Sequence, residues 1–171
     1  MADNQTAIAA WDFEAIDWDS WTPRERATLL FVVRDDSILL IHKKRGLGAG
    51  KVNGPGGRLS PGEDPIDGAL REVWEEVGVT VDDVEQMGEL SFQFTDGHSI
   101  HCHVFRAGRL SGRPRVTDEA TPFWVPLDEI PYQEMWDDDR LWLPLMLQGR
   151  RFLGRVLFDG ERMVAHEIVT V

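Results

Sequence analysis

Cysteine occurs once in 171 residues, at Cys102, tyrosine occurs once, and lysine only three times. A single thiol cannot close a disulfide within the chain, and such cysteine usage reads as an ordinary intracellular protein. No apolar run approaches the roughly 20 residues of a membrane span, and the acidic N-terminus lacks the basic region of a signal peptide. A cytoplasmic protein without membrane attachment is therefore the expectation. Positive charge is scarce: 18 Lys and Arg face 30 Asp and Glu, for a net charge of −12. Such a surface repels nucleic acid, which disfavours a DNA- or RNA-binding module. It also repels nucleotide phosphates, so a polyphosphate ligand would need a metal and local Lys or Arg. Repeats and low-complexity linkers are absent from the sequence. The length suits one domain able to bury its own core.

One stretch, Gly57 to Val79, organises the rest. Asp64 can N-cap a helix, Pro65 suits its first position, Asp67 puts a carboxylate in the positive first turn, and Gly78 suits a left-handed exit. Ile66, Ala69, Leu70, Val73 and Val77 follow helical spacing and form an apolar stripe expected to be buried. Glu72, Glu75 and Glu76 fall on the other side within an arc of roughly 100°. Glu72 and Glu76 are an i, i+4 like-charge pair, costing an isolated helix roughly 0.2–0.5 kcal/mol. Arg71 compensates one of three acids. A divalent cation would remove the conflict, and hard oxygen ligands suit Mg²⁺.

Gly57, Glu63, Arg71, Glu72, Val73, Glu75, Glu76, Gly78 and Val79 satisfy the spacing G-x5-E-x7-R-E-U-x-E-E-x-G-U, where U is apolar. At ordinary residue frequencies a chance match is on the order of 10⁻⁷. This is the Nudix box, and the chain resembles the Nudix hydrolases, which cleave a nucleoside diphosphate linked to a further group.

Along the chain, Ala27–Val33 and Ile38–His42 read as strands across a polar turn, with Lys43-Lys44-Arg45 closing the second. A glycine-rich loop over 46–51 and the tight segment Asn53–Gly57 lead into the box. Met87–Thr95 and Ile100–Ala107 read as a hairpin across Asp96-Gly97, with a loop over 108–116 and a strand at Thr121–Val125. Asp137, Asp138 and Asp139 are N-cap candidates for a helix to about Gln148, with Pro144 in or near its first turns. Arg155–Phe158 and Arg162–Val169 flank a turn placed at Asp159-Gly160. Irregularly alternating strands and helices predict an α/β fold with a mixed sheet between helices. Residues 1–25 read as an acidic, aromatic extension ahead of a catalytic domain over 26–171. Trp18 and Trp21 are expected to dock on that domain.

Beyond the box, Thr28 through Val171 is similar to the MutT-related enzymes that hydrolyse oxidised purine nucleoside triphosphates such as 8-oxo-dGTP and 2-hydroxy-dATP. The segments around Lys43–Gly50, Asn53–Gly57, Ile130–Asp139 and Leu143–Gln148 carry that similarity, with the terminal hairpin. It implies the Nudix α/β/α sandwich. It implies metal ligation by Glu72, Glu75, Glu76, Glu119 and the Gly56 carbonyl, with Mg²⁺ as the ion and Mn²⁺ as the alternative. It also implies nucleoside contacts from Thr28, Lys43 and Asn53, a flanking loop of Pro55, Gly56, Gly57 and Arg58, and a base stacked on Trp136 beside Phe92. Asp138 and Asp139 match an acidic pair that reads the purine edge. Two close carboxylates in a dry pocket tend to share a proton, so one donates a hydrogen bond while the other accepts. Leu47, Val52 and Pro55 stand where the subfamily commonly carries aromatics, which implies a looser or shifted base preference.

The implied reaction is water attack on the β-phosphorus, releasing a monophosphate and pyrophosphate. One box glutamate or Glu119 accepts the proton, Glu72 being the first candidate, and Arg71 orients a box carboxylate. Two alternatives share the box. One is a hydrolase of ADP-ribose or a dinucleoside polyphosphate, and the other is a non-catalytic nucleotide-sensing module. The sequence leaves monomer and dimer both open.

Overall fold

The computed structural model describes residues 11–171. Two neighbouring stretches dominate its centre. Strands β1 (Glu25–Arg34) and β2 (Ser37–Lys43) carry unbroken apolar runs, the pattern of strands covered on both faces. In β1, Leu30 and Val32 join one core cluster while Phe31 and Val33 join another. In β2, Leu39 and Ile41 go with the first and Ile38 and Leu40 with the second. The two-residue alternation of strand side chains divides these runs between two cores.

Each core is closed by one helix. α1 (Pro65–Val77) contributes Ala69, Val73 and Val77 to the first, and α2 (Asp139–Leu147) contributes Trp142, Leu143 and Met146 to the second. Between them runs a nine-stranded mixed sheet. Its remaining strands are β3 (Val52–Asn53), β4 (Gly56–Arg58), β5 (Thr80–Phe94), β6 (Ser99–Ser111), β7 (Ala120–Pro126), β8 (Phe152–Asp159) and β9 (Arg162–Thr170). The order is β3-β2-β1-β6-β5-β8-β9, with β4 on β1 and β7 on β2. The β1–β6 and β5–β8 pairs are parallel and the rest antiparallel. The expected mixed sheet between helices is therefore the observed architecture.

α1 begins and ends as its boundary residues require. Asp64 accepts the Ile66 N–H at 3.1 Å, and Gly78 leaves the helix at φ 72°. The apolar stripe is only partly buried: Ala69, Val73 and Val77 are inside, whereas Ile66 and Leu70 are each 37% exposed. The helix is rotated so that Gly68, Glu72 and Glu76 share the covered side. Of the three glutamates expected opposite the stripe, Glu72 and Glu76 are therefore largely buried and Glu75 is exposed.

Other expectations move by smaller amounts. β5 and β6 extend to Thr80 and Ser111, beyond the expected hairpin and into its loop. Acids at Asp82, Asp83 and Glu85 mask the start of β5, and a bulge interrupts the ladder between Gln86 and Gly88. In the last hairpin Asp159 pairs with Arg162, so the turn is Gly160-Glu161, one residue later than expected. β2 is paired on both sides, by β7 and by β1 and β3, so the basic run Lys43-Lys44-Arg45 closes an interior strand.

The aromatic N-terminal segment lies against the sheet. The Trp21 indole N–H donates to Gln93 Oε1 at 2.8 Å, and the Arg155 guanidinium sits 5.8 Å from the Trp18 ring. Expectations for residues 1–10 lie outside the described residues. No helix among those described is long and apolar enough to cross a membrane.

Candidate active site

A cleft of about 550 Å³ opens between the N-terminal loop of α1, the ends of β1 and β2, and the start of α2. Its two ends differ in chemistry. At one end Glu72, Glu75 and Glu76 from α1 meet Glu119, which sits just before β7. Carboxylate oxygens of Glu72, Glu76 and Glu119 lie within 4.8 Å of one another. Glu75 lines the cleft outside that trio, its carboxylate held by Arg71 at 3.2 Å.

Close backbone approach makes this end possible. A side chain on Gly57 would overlap the Glu72 carboxylate, and one on Gly56 would overlap the Thr28 carbonyl. Gly56 instead donates its N–H to Glu76 at 3.3 Å. Burial pushes the Glu76 pKa up to about 8, against the pull of that N–H. Burial also raises Glu72, opposed by its 2.8 Å bond to Arg71. Both shifts report anionic charge that the protein alone leaves poorly compensated.

Arg71 does not line the cleft. Its guanidinium donates to both oxygens of Glu63 at 2.9 Å, to Glu72, to Glu75 and to the Arg58 carbonyl. Those bonds, with the Ser60 N–H, hold Glu63 down at about 2. Arg71 is thus a fixed strut between the loop and two carboxylates of the cluster.

The other end is apolar and aromatic with two acids set into it. Trp136 stands edge-on to Phe158 at 5.2 Å and to Phe94 at 6.3 Å, while Phe92 and Ile100 complete the wall. Asp138 and Asp139 are 1% and 3% exposed. Asp138 Oδ2 accepts the Trp142 indole N–H at 2.8 Å, and Asp139 Oδ2 has no partner among the described residues. Burial raises Asp138 to about 6 and, with the Asp138 charge, raises Asp139 well above the carboxylate range. Neither side chain caps α2. Asp138 occupies the cap position without a capping bond, and Asp137 binds the Met163 N–H at 3.2 Å instead. These are buried acids facing a cavity.

Thr28, Lys43, Asn53, Gly56, Gly57 and Arg58 also line the cleft. The Thr28 hydroxyl is buried without a partner among the described residues. Pro55 does not line it; its carbonyl accepts the Leu30 N–H at 2.8 Å, so it serves the sheet. The sequence reading missed Phe94, Phe158, Cys102 and Lys51. The first three line the cleft, and Lys51 Nζ lies 5.2 Å from the Trp136 ring centre. Phe94 and Phe158 carry no motif. Only their parallel pairing across β5 and β8 brings them together.

A family model described as NUDIX domain matches residues 23–146. The chain belongs to the Nudix family. Among curated Nudix relatives, a protein of Danio rerio named oxidized purine nucleoside triphosphate hydrolase is 45% identical over 138 residues. That alignment covers 80% of this chain and 88% of the relative. A protein of the same name from Mus musculus is 41% identical, covering 78% and 86%. Among solved structures, a mutator MutT protein from Bacillus halodurans superposes with a TM-score of 0.76 at 26% identity, covering 84% of this chain and 97% of its own. Nudix hydrolases use divalent metal ions, and the clustered, charge-frustrated oxygen donors of Glu72, Glu76 and Glu119 suit one.

Proposed function

We propose that this Nudix protein hydrolyses oxidised purine nucleoside triphosphates to the monophosphate and pyrophosphate, with Mg²⁺ as its cation. The observation that carries this reading is one cleft with two opposed chemistries. A carboxylate cluster at one end suits a metal-bound polyphosphate, and an aromatic wall with two buried acids at the other suits a purine.

Glu72, Glu75, Glu76, Glu119 and the Gly56 carbonyl would hold the metal. When bound, the cation supplies phosphate charge neutralisation and a lower pKa for the attacking water. The chain's own groups do the rest. Lys43 and Arg58 bring positive charge to an acidic cleft, where substrate anions would otherwise be repelled. Arg71 fixes Glu72 and Glu75 through bonds of 2.8 and 3.2 Å. A carboxylate of Glu72, Glu76 or Glu119 accepts the water proton as the α–β phosphoanhydride opens. At the far end Trp136 offers its face to the base. Asp138 and Asp139, sharing one proton, present a donor beside an acceptor to the purine edge. An oxidised purine differs from its parent in that edge pattern, which is what such a pair can discriminate.

The test is a panel of normal and oxidised nucleoside triphosphates with Mg²⁺ and product identification. Faster cleavage of the oxidised purines, with pyrophosphate released, is expected. Equal rates on dGTP and 8-oxo-dGTP would overturn the substrate assignment, and faster cleavage of ADP-ribose would replace it.

A further inference from the structure

The alternation that divides the strands between two cores also sets two imidazoles side by side outside the cleft. His101 and His103 share one face of β6, and Glu89 pairs directly opposite His103 on β5. Glu89 Oε2 is 3.3 Å from His101 Nε2, and its Oε1 is 3.7 Å from His103 Nδ1. One ligand atom from each residue falls within 4.8 Å of the others. The rings meet edge to face with centroids 4.9 Å apart. None of the three residues lines the cleft that holds Glu72 and Glu76.

Two surrounding contacts orient the carboxylate and the two rings. The Gln86 amide nitrogen donates to Glu89 Oε1 at 3.2 Å and lies 3.1 Å from His103 Nδ1. An amide nitrogen only donates, so the carboxylate oxygen and the imidazole nitrogen both aim lone pairs at one point. Gln86 is exposed and free to swing away from that point. On the other ring, Ser91 Oγ is 3.3 Å from His101 Nδ1. That hydroxyl can take the Nδ1–H once a cation occupies Nε2, which leaves the Nε2 lone pair for the cation beside Glu89.

We propose that Glu89, His101 and His103 form a second metal site, for a borderline transition cation of the Zn²⁺ type. Two imidazoles and one carboxylate match zinc, with a fourth position left for water or the Gln86 amide oxygen. The cleft carboxylates offer oxygen alone and match Mg²⁺. Donor hardness therefore sorts two different metals between two sites of one chain. The Trp21 ring lies 6.5 Å from the His101 ring, so this cation would brace the sheet where the N-terminal segment covers it.

The experiment is a Zn²⁺ titration of the chelator-stripped full chain in excess Mg²⁺, read by calorimetry. One Zn²⁺ per chain is expected. His101→Gln and Glu89→Gln should each weaken it about tenfold or more, while Glu76→Gln leaves it unchanged. Unchanged affinity in the first two variants, loss in Glu76→Gln, or no Zn²⁺ bound by the parent chain overturns the site. A second measurement needs no variant. Cu²⁺ added in excess Mg²⁺ should broaden the His101 and His103 ring resonances and quench tryptophan fluorescence beside them; broadening that spares both rings refutes the assignment.

Discussion

Replacing Asp138 by Asn should make the protein more stable and less active, and the structure sets the size of the first effect. Asp138 is 1% exposed, and burial lifts its pKa from the ordinary 3.8 to about 6. A carboxyl whose folded pKa is raised binds its proton more tightly in the folded state. Its stabilising contribution is present in full below pH 3.8 and is lost as pH rises through about 6. Above that range, keeping the group ionised costs about 3 kcal/mol, which a neutral amide avoids. The Asn oxygen can still accept the Trp142 indole N–H now bonded at 2.8 Å. Its NH₂, however, replaces an oxygen that the residue's own backbone N–H favours. That mismatch offsets about 1–2 kcal/mol. A net gain of about 1–2 kcal/mol at pH 8 follows, raising Tm by about 4 °C in a chain of this size. Thermal melting at pH 8 and pH 4 should show the gain at the first and little at the second. Parallel assays should show kcat/KM for oxidised purine triphosphates down about tenfold or more, since one fixed donor replaces a shared proton. A variant that melts lower than the parent at pH 8, or gains as much at pH 4, would refute the reasoning.

Three further perturbations probe other parts of the cleft. Glu76→Gln removes a buried charge from the carboxylate cluster, so metal-free melting should not fall while Mg²⁺-dependent turnover drops about 10²-fold or more; near-normal turnover would remove Glu76 from the metal set. Gly57→Ala places a methyl group on the Glu72 carboxylate, and a displacement of that kind should cost about 10²-fold in kcat, measured at saturating Mg²⁺. Trp136→Ala takes away the ring that stands edge-on to Phe94 and Phe158; about 1–3 kcal/mol of stacking should appear as a raised KM, with Trp136→Phe recovering part of it.

The local features were legible because each depends on near neighbours. Asp64, Pro65 and Gly78 delimit α1 by capping and backbone preference, and the structure places its ends there. The alternation in β1 and β2 was less plain, because both faces are apolar and a continuous run does not say which residue goes to which core. β5 was underestimated for the converse reason. Its first half carries acids on exposed positions, and pairing with β6 holds it in strand conformation regardless of hydrophobicity.

The sequence by itself determined the family, the short helix with its clustered glutamates and the conflict among their charges, since helical spacing places Glu72 and Glu76 one turn apart whatever surrounds them. Tertiary structure alone decided how buried those charges are, where Glu119 meets them, and that Asp138 and Asp139 face the aromatic end of a cleft instead of capping a helix. It alone joined Phe94 to Phe158 through a parallel strand pair, and set Glu89 beside two histidines on one face of the sheet. The physical reason is common to all of these. Desolvation and lone-pair convergence depend on what chain-distant elements bring into contact, and side-chain spacing along one strand or helix carries no record of it.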